Sequence, residues 1–272
     1  MNVTSHDRRQ RIISEVLKRK HVTARDLASE MDVSEATVRR DFKLLAQSGQ
    51  VDLVYGGATV ARIQDYSFGT KYRRNSEAKR VIAALAKDLI ADGEQVLLDS
   101  GTTCFELANH LKQKRGLLVI VNSAPLAMEL GVPGINVILL GGQYRADRMD
   151  TVGPLCMSHL DQLRGYVALI GADGVSKDFG PAASDVESAH LYRLAIRNAR
   201  ETFLLVDHTK FQTPSLFKIV EWEAISRVIT DQRPSQDWLE FFLKRGIQVV
   251  FPKATESIAA DLPVGTVDSS PK

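Results

Sequence analysis

The chain has 272 residues, of which 44% are hydrophobic and 25% charged, and a formal net charge of +2. That is an ordinary water-soluble balance, with room for a small domain beside a larger one. No apolar run approaches the roughly 20 residues of a membrane span. Residues 1–11 are polar where a signal peptide needs an apolar stretch, and Cys104 and Cys156 stand alone, without metal spacing. The expectation is a cytoplasmic protein off the membrane, in a reducing compartment, with no cofactor and no metal.

Charge is uneven along the chain. Residues 1–80 carry 16 Lys+Arg against 10 Asp+Glu, and the remainder 19 against 23. A basic N-terminal part on a mildly acidic body suggests a polyanion as partner of the first part.

In chain order, residues 7–19 place Ile12, Ile13, Val16 and Leu17 at helical spacing. Thr23 can cap a second helix, with Asp26 placed to return a bond, and that helix would bury Leu27, Ala28 and Met31. Asp32 and Val33 make a short turn. Ser34 is a good cap for a third helix running to about Gln47, ended by Gly49. Residues 51–60 read as a hairpin, or wing, around Gly56-Gly57. The predicted organisation is a winged helix-turn-helix over 1–60, a charged linker over 61–76, an α/β domain over 77–253 and a polar tail over 254–272.

Within the α/β part a helix is predicted over 77–91. Strands are predicted over 96–99, 117–122, 137–140, 166–170, 202–207, 227–230 and 248–251. Helices alternate with them over 104–112, 125–130, 155–163, 186–199 and 236–245. Such alternation implies a mainly parallel sheet covered by helices.

The third helix carries the functional reading. Val38, Phe42 and Leu45 share one face and must enter the small core. Ala36, Arg39, Arg40 and Lys43 share the other. Ser34 and Thr37 stand at its N-terminus, where hydroxyls and free amides can hold phosphate. Arginine can bond guanine in the major groove, whereas Lys43 suits a phosphate. A solvated basic face on a plain three-helix bundle is the competing account. Two helices about a tight turn, a cationic second helix and a Gly-Gly wing together favour DNA.

The stretch 22–58 resembles the N-terminal domain of DeoR-type bacterial repressors. The matching run is Val33-Ser34-Glu35-Ala36-Thr37-Val38-Arg39-Arg40-Asp41-Phe42, followed by Gly56-Gly57-Ala58. The likeness continues to about Asp231. It implies that Ser34, Thr37, Arg39 and Arg40 lie at the interface with a double-stranded DNA operator. The family's wing carries an Arg two residues before a His. Here those positions hold Leu53 and Tyr55, beside Asp52, so the expectation is a wing that either holds phosphate weakly or binds through Tyr55 and Lys43 instead.

Asp99-Ser100-Gly101-Thr102-Thr103 follows a predicted strand and opens a helix, offering backbone amides and hydroxyls to an anion. Such turns are also common helix caps, and the Gly-Lys-Ser/Thr ending of a P-loop is missing. Asn122-Ser123, Gly141-Gly142 and Gly171-Ala172-Asp173-Gly174 also follow strands, and ligands of open α/β sheets bind outside the strands' carboxyl ends. Asp207 could accept bonds from sugar hydroxyls and Lys210 could neutralise a phosphate, although an Asp–Lys pair alone is more often a surface ion pair.

The family resemblance implies a sensor domain resembling ribose-phosphate isomerase and CoA-transferase type folds. It also implies a phosphorylated sugar or sugar derivative as effector, and a homodimer or homotetramer. Tyr192 stands where the family has a Lys before Arg193. His208 and Thr209 replace two small hydroxyl residues, and a His beside Asp207 could give a pH-sensitive contact, with a plain surface His as the competing account. The expected function is a regulator, with no catalytic residues, that represses carbohydrate catabolic genes. The rival is a sugar-phosphate isomerase-like enzyme with a DNA-binding domain, using Asp99, Asp173 or Asp207 as general base.

Overall fold

A computed structural model describes residues 5–47, 51–60, 67–212 and 215–252. The N-terminal part opens with helix α1 (Ser5–Arg19), the short strand β1 (His21–Thr23) and helix α2 (Ala24–Met31). Helix α3 (Glu35–Gln47) and strands β2 (Val51–Val54) and β3 (Gly57–Val60) complete it. Thr23 caps α2 as expected, its side chain accepting from the Asp26 amide, and Asp32 takes the left-handed turn that ends the helix. Ile12, Val16, Leu27, Val38, Phe42, Leu45, Val51 and Ala58 fill one small core. The predicted helix stop at Gly49 lies outside the described residues.

The wing is an antiparallel hairpin, with Val54 opposite Gly57 and a two-residue turn at Tyr55-Gly56. Strand β3 also pairs with β1, giving a three-stranded sheet in the order β1-β3-β2 that the sequence reading missed. Gly57 is required there, because a Cβ would stand 2.1 Å from the Val22 carbonyl oxygen.

Residues 67–74, read from sequence as linker, contain helix α4 (Phe68–Arg73), capped by Ser67. Then come α5 (Ser76–Lys87), β4 (Gln95–Leu98), α6 (Thr102–Leu111), β5 (Leu117–Val121), α7 (Ala124–Leu130) and β6 (Ile135–Leu139). A hairpin of β7 (Gln143–Arg145) and β8 (Asp150–Val152) leads to α8 (Pro154–Asp161) and β9 (Val167–Gly171). The chain continues through β10 (Gly174–Ser176), β11 (Gly180–Ala183), α9 (Val186–Asn198) and β12 (Glu201–Leu205). It ends with β13 (Phe217–Lys218), β14 (Arg227–Ile229), α10 (Gln236–Lys244) and β15 (Gln248–Val250).

All seven apolar runs predicted as strands enter one parallel sheet, ordered β15-β14-β12-β9-β4-β5-β6. Its central strand β9 (VALIG) is buried over four of its five residues, as a strand covered on both faces must be. One face packs Ile82, Leu107, Leu126 and their neighbours, from α5, α6 and α7. The other packs Cys156, Leu160, Ala195 and Phe242, from α8, α9 and α10. From β4 the chain adds β5 and β6 on one side, then returns to add β9, β12, β14 and β15 on the other. The reversal lies between β4 and β9. Open α/β sheets place ligands outside the carboxyl ends of the strands at such a reversal.

Candidate DNA-binding helix and effector crevice

Helix α3 turns Val38, Phe42 and Leu45 into the core and leaves Ala36, Arg39, Arg40 and Lys43 exposed. At 1.5 Å per residue it is about 20 Å long. The Ser34 hydroxyl accepts from the Thr37 amide at 3.2 Å and lies 2.9 Å from the Thr37 hydroxyl, so these two groups shape the N-terminus. Arg39 rests on Glu35 at 3.1 Å, one turn earlier. Arg40 and Lys43 form no ion pair among the described residues. Tyr55 stands fully exposed at the wing tip, next to exposed Leu53 and Val54.

Asp41, on the same helix, is buried and takes Arg8 at 2.6 Å and Arg9 at 3.7 Å. Two cations of the basic N-terminal segment therefore tie α1 to α3. They add to the charge count without joining the exposed face of α3.

At the reversal Asp99 joins the ends of the two strands. One carboxylate oxygen accepts from the Gly101 amide at 2.8 Å and the other from the Gly171 amide at 2.5 Å. Burial pushes this carboxyl up, against the pull of those bonds. The loop after it is tight, since a Cβ on Gly101 would lie 2.8 Å from an Asp99 oxygen. Gly101 caps α6, and the Thr102 and Thr103 amides of its first turn have no protein acceptor among the described residues. Ser100 donates to Asp150 at 2.8 Å and lies 3.0 Å from the Tyr192 hydroxyl.

Asp173, in the loop after β9, pairs with Lys71 of α4 at 2.6 Å and accepts the Ser184 amide at 2.9 Å. Burial raises its carboxyl, but the Lys71 and Lys210 charges outweigh it and hold the group well below the usual carboxylate range. Asp207 is buried and accepts from Asn75 at 3.2 Å and from the amide and hydroxyl of Thr209. Lys210 acts electrostatically on Asp173 and on Lys79, yet forms no ion pair among the described residues. Asp99, Ser100, Gly101, Thr102, Thr103, Asp173, Asp207 and Lys210 thus cluster around the reversal, with α4 across them.

Asn122 and Ser123 serve the framework. Asn122 bonds to Thr151 through its side chain at 2.9 Å, and Ser123 caps α7. Gly142 packs against Val152 and Cys156, and Gly141 against His159, rather than against Asp99 or Asp173. His208 makes its contact with Asp231, its ring Nδ1 lying 2.7 Å from that carboxylate, and Thr209 takes Asp207.

Several polar residues of this region were not singled out from sequence. Arg145 bonds both oxygens of Asp150, at 2.8 and 2.7 Å, and Asp185 at 2.8 Å. Arg148 also reaches Asp185. This network ties the β7–β8 hairpin to the cap of α9 and, through Asp150, to Ser100.

Lys79 of α5 is buried, with its ammonium on the carbonyls of Lys71, Tyr72 and Arg74 at the C-terminal end of α4. Burial, with repulsion from Lys210 and Lys71, outweighs Asp207 and pushes it down to about 8. The unfolded chain therefore holds this proton more tightly, and stability should climb as pH rises from about 8 towards the ordinary lysine value of 10.5. Lys79→Met should lack that climb. Urea melts of both proteins at pH 8 and pH 10 check this, and equal changes with pH would give Lys79 an ordinary titration.

Among curated relatives, the lactose phosphotransferase system repressor of Lactococcus lactis subsp. lactis is 33% identical over 227 residues, covering 81% of this chain and 89% of the relative. The HTH-type transcriptional repressor GlcR of Bacillus subtilis (strain 168) is 29% identical over 238 residues, covering 86% and 92%. Among solved structures, ribose 5-phosphate isomerase A from Methanocaldococcus jannaschii matches 50% of this chain and 54% of its own, with 22% identity and a TM-score of 0.36. Residues 8–64 match the DeoR-like helix-turn-helix domain and residues 74–232 the DeoR C terminal sensor domain, and with both modules in place the chain belongs to the DeoR family of transcriptional regulators.

Proposed function

We propose that this DNA-binding regulator represses genes of carbohydrate catabolism, and that a phosphorylated sugar or sugar derivative in the β4/β9 crevice modulates it. Ser34, Thr37, Arg39, Arg40 and Lys43 meet operator DNA, with Tyr55 at the wing. One observation carries the effector half: two amides at the start of α6 and the Lys210 ammonium, none of them with a bonding partner among the described residues, belong to the cluster at the sheet's reversal. The sugar hydroxyls fall to Asp173 and Asp207. A helix-turn-helix protein reads two half-sites, which supports a homodimer or homotetramer working in the cytoplasm.

The chain is a regulator and not an enzyme, as the curated relatives named as repressors indicate. The candidate general bases agree. Asp99 holds two backbone amides, Asp173 is kept strongly acidic, and Asp207 is engaged by Asn75 and Thr209.

Operator titrations by gel shift, with and without a panel of phosphorylated sugars, test both halves. One sugar phosphate should change operator affinity and raise the melting temperature of the protein. Operator binding that no member of the panel changes would sink the sensor half and leave the DNA half standing.

A further inference from the structure

Residues 116–144 hold a single charged side chain, Glu129, in a chain that is 25% charged. Glu129 is itself paired with Lys112. This stretch builds one border of the large sheet, strand β6 with helix α7 beside it. None of the five residues of β6 is buried. Around it Met128 is 83% exposed, Leu139 49% and Tyr144 54%. Uncharged, apolar edges invite pairing, and proteins ordinarily defend them with charges, proline or very short strands. The opposite edge is defended in that manner: β15 has three residues, Pro252 follows closely, and Arg233 stacks over the Phe251 ring.

The backbone of β6 is oriented for pairing. The Leu140 amide donates to Val121 O, so even-numbered residues bond inward to β5. Alternation along the strand then turns the N–H and C=O groups of Val137 and Leu139 outward. The Ile135 amide is taken by Val132 O, which leaves its carbonyl facing out.

We propose that β6 is the twofold seam between two copies of this chain, paired antiparallel about Val137. This rests on the reading of the chain as a self-associating regulator and adds where the copies meet. The side chain on a twofold axis faces its own duplicate, and its neighbours face equivalents a few residues away, so charges of one sign there would meet their like. A strand reading Ile-Asn-Val-Ile-Leu meets that condition. Centred on Val137, the pairing sets Ile135 opposite Leu139 of the second copy. Val137 exchanges two hydrogen bonds with its counterpart, and each Leu139 amide finds an Ile135 carbonyl. Met128 and Tyr144 belong to residue types enriched in interfaces.

Sedimentation and light scattering of the full chain across a concentration series test the seam. Wild type should self-associate. Val137→Lys sets two ammonium groups face to face and should raise the dissociation constant of one interface at least ~100-fold, stepping the assembly down. Leu139→Lys, at a position already exposed, should do the same with folding intact, and decides the matter if the first variant fails to fold. Amides of Val137 and Leu139 should also exchange faster when wild type is diluted. An oligomer that survives both substitutions, with no dilution effect on those amides, overturns the seam alone. A wild type monomeric at every concentration overturns the self-association reading with it.

Discussion

Arg40→Ala is expected to weaken operator binding by about 10- to 100-fold, corresponding to ~1–3 kcal/mol for a lost base contact, and to relax preference at one base position. Arg40 stands exposed on the outer face of α3 and has no ion pair among the described residues to break first. Lys43→Ala should act differently. It should weaken binding by a similar factor on every sequence and lower the slope of log affinity against log salt by about 1. Arg39→Ala should fall below Arg40→Ala, because Arg39 must leave Glu35 to reach DNA. Gel-shift titrations at two salt concentrations, on operator and scrambled duplexes, measure all three. Unchanged affinity in Arg40→Ala would remove α3 from the groove.

Asp99→Ala should be the most damaging single change in the sensor part. It leaves the Gly101 and Gly171 amides without their carboxylate acceptor, at a cost of ~3 kcal/mol. For a unit of this size the melting temperature should drop by about 6–12 °C. The two loops of the reversal lose their common anchor, so any effector-induced rise in melting temperature should shrink as well. Asp173→Ala leaves that anchor in place, and its melting temperature should fall less. A thermal melt of Asp99→Ala that overlays wild type would show that the loops hold without it.

The main sheet was legible because each of its strands is a short apolar run between helical segments. The run at 166–170 became Val167–Gly171 and the one at 202–207 became Glu201–Leu205. Strand order was not legible, since neighbours such as β4 and β9 are separated by more than 70 residues. The small strands Gly174–Ser176, Gly180–Ala183 and Phe217–Lys218 are too brief to show a period of two. Around the crevice, Asp99, Asp173, Asp207 and Lys210 stood out by their position after strands. Lys71 did not, because a six-residue charged helix looks like linker. Lys79 left a signal that was overlooked: it precedes Ile82, Ala83 and Ala86 by three, four and seven residues, on the buried stripe of α5. The Arg145–Asp150–Asp185 network depends on tertiary register and has no counterpart in spacing.

Helix α4 gives the crevice a resident of its own. Lys71 already occupies Asp173, and Asn75 already occupies Asp207. A newcomer that seeks either carboxylate does not fill a vacancy; it evicts a tenant. Its measured affinity is the difference between two sets of contacts, and a ligand with excellent contacts of its own can still bind modestly. The evicted groups lie at the C-terminal side of α4, Lys71 in its last turn and Asn75 at the cap of α5 just after it, and α4 itself begins two residues after segment 61–66, through which the chain runs on from the wing.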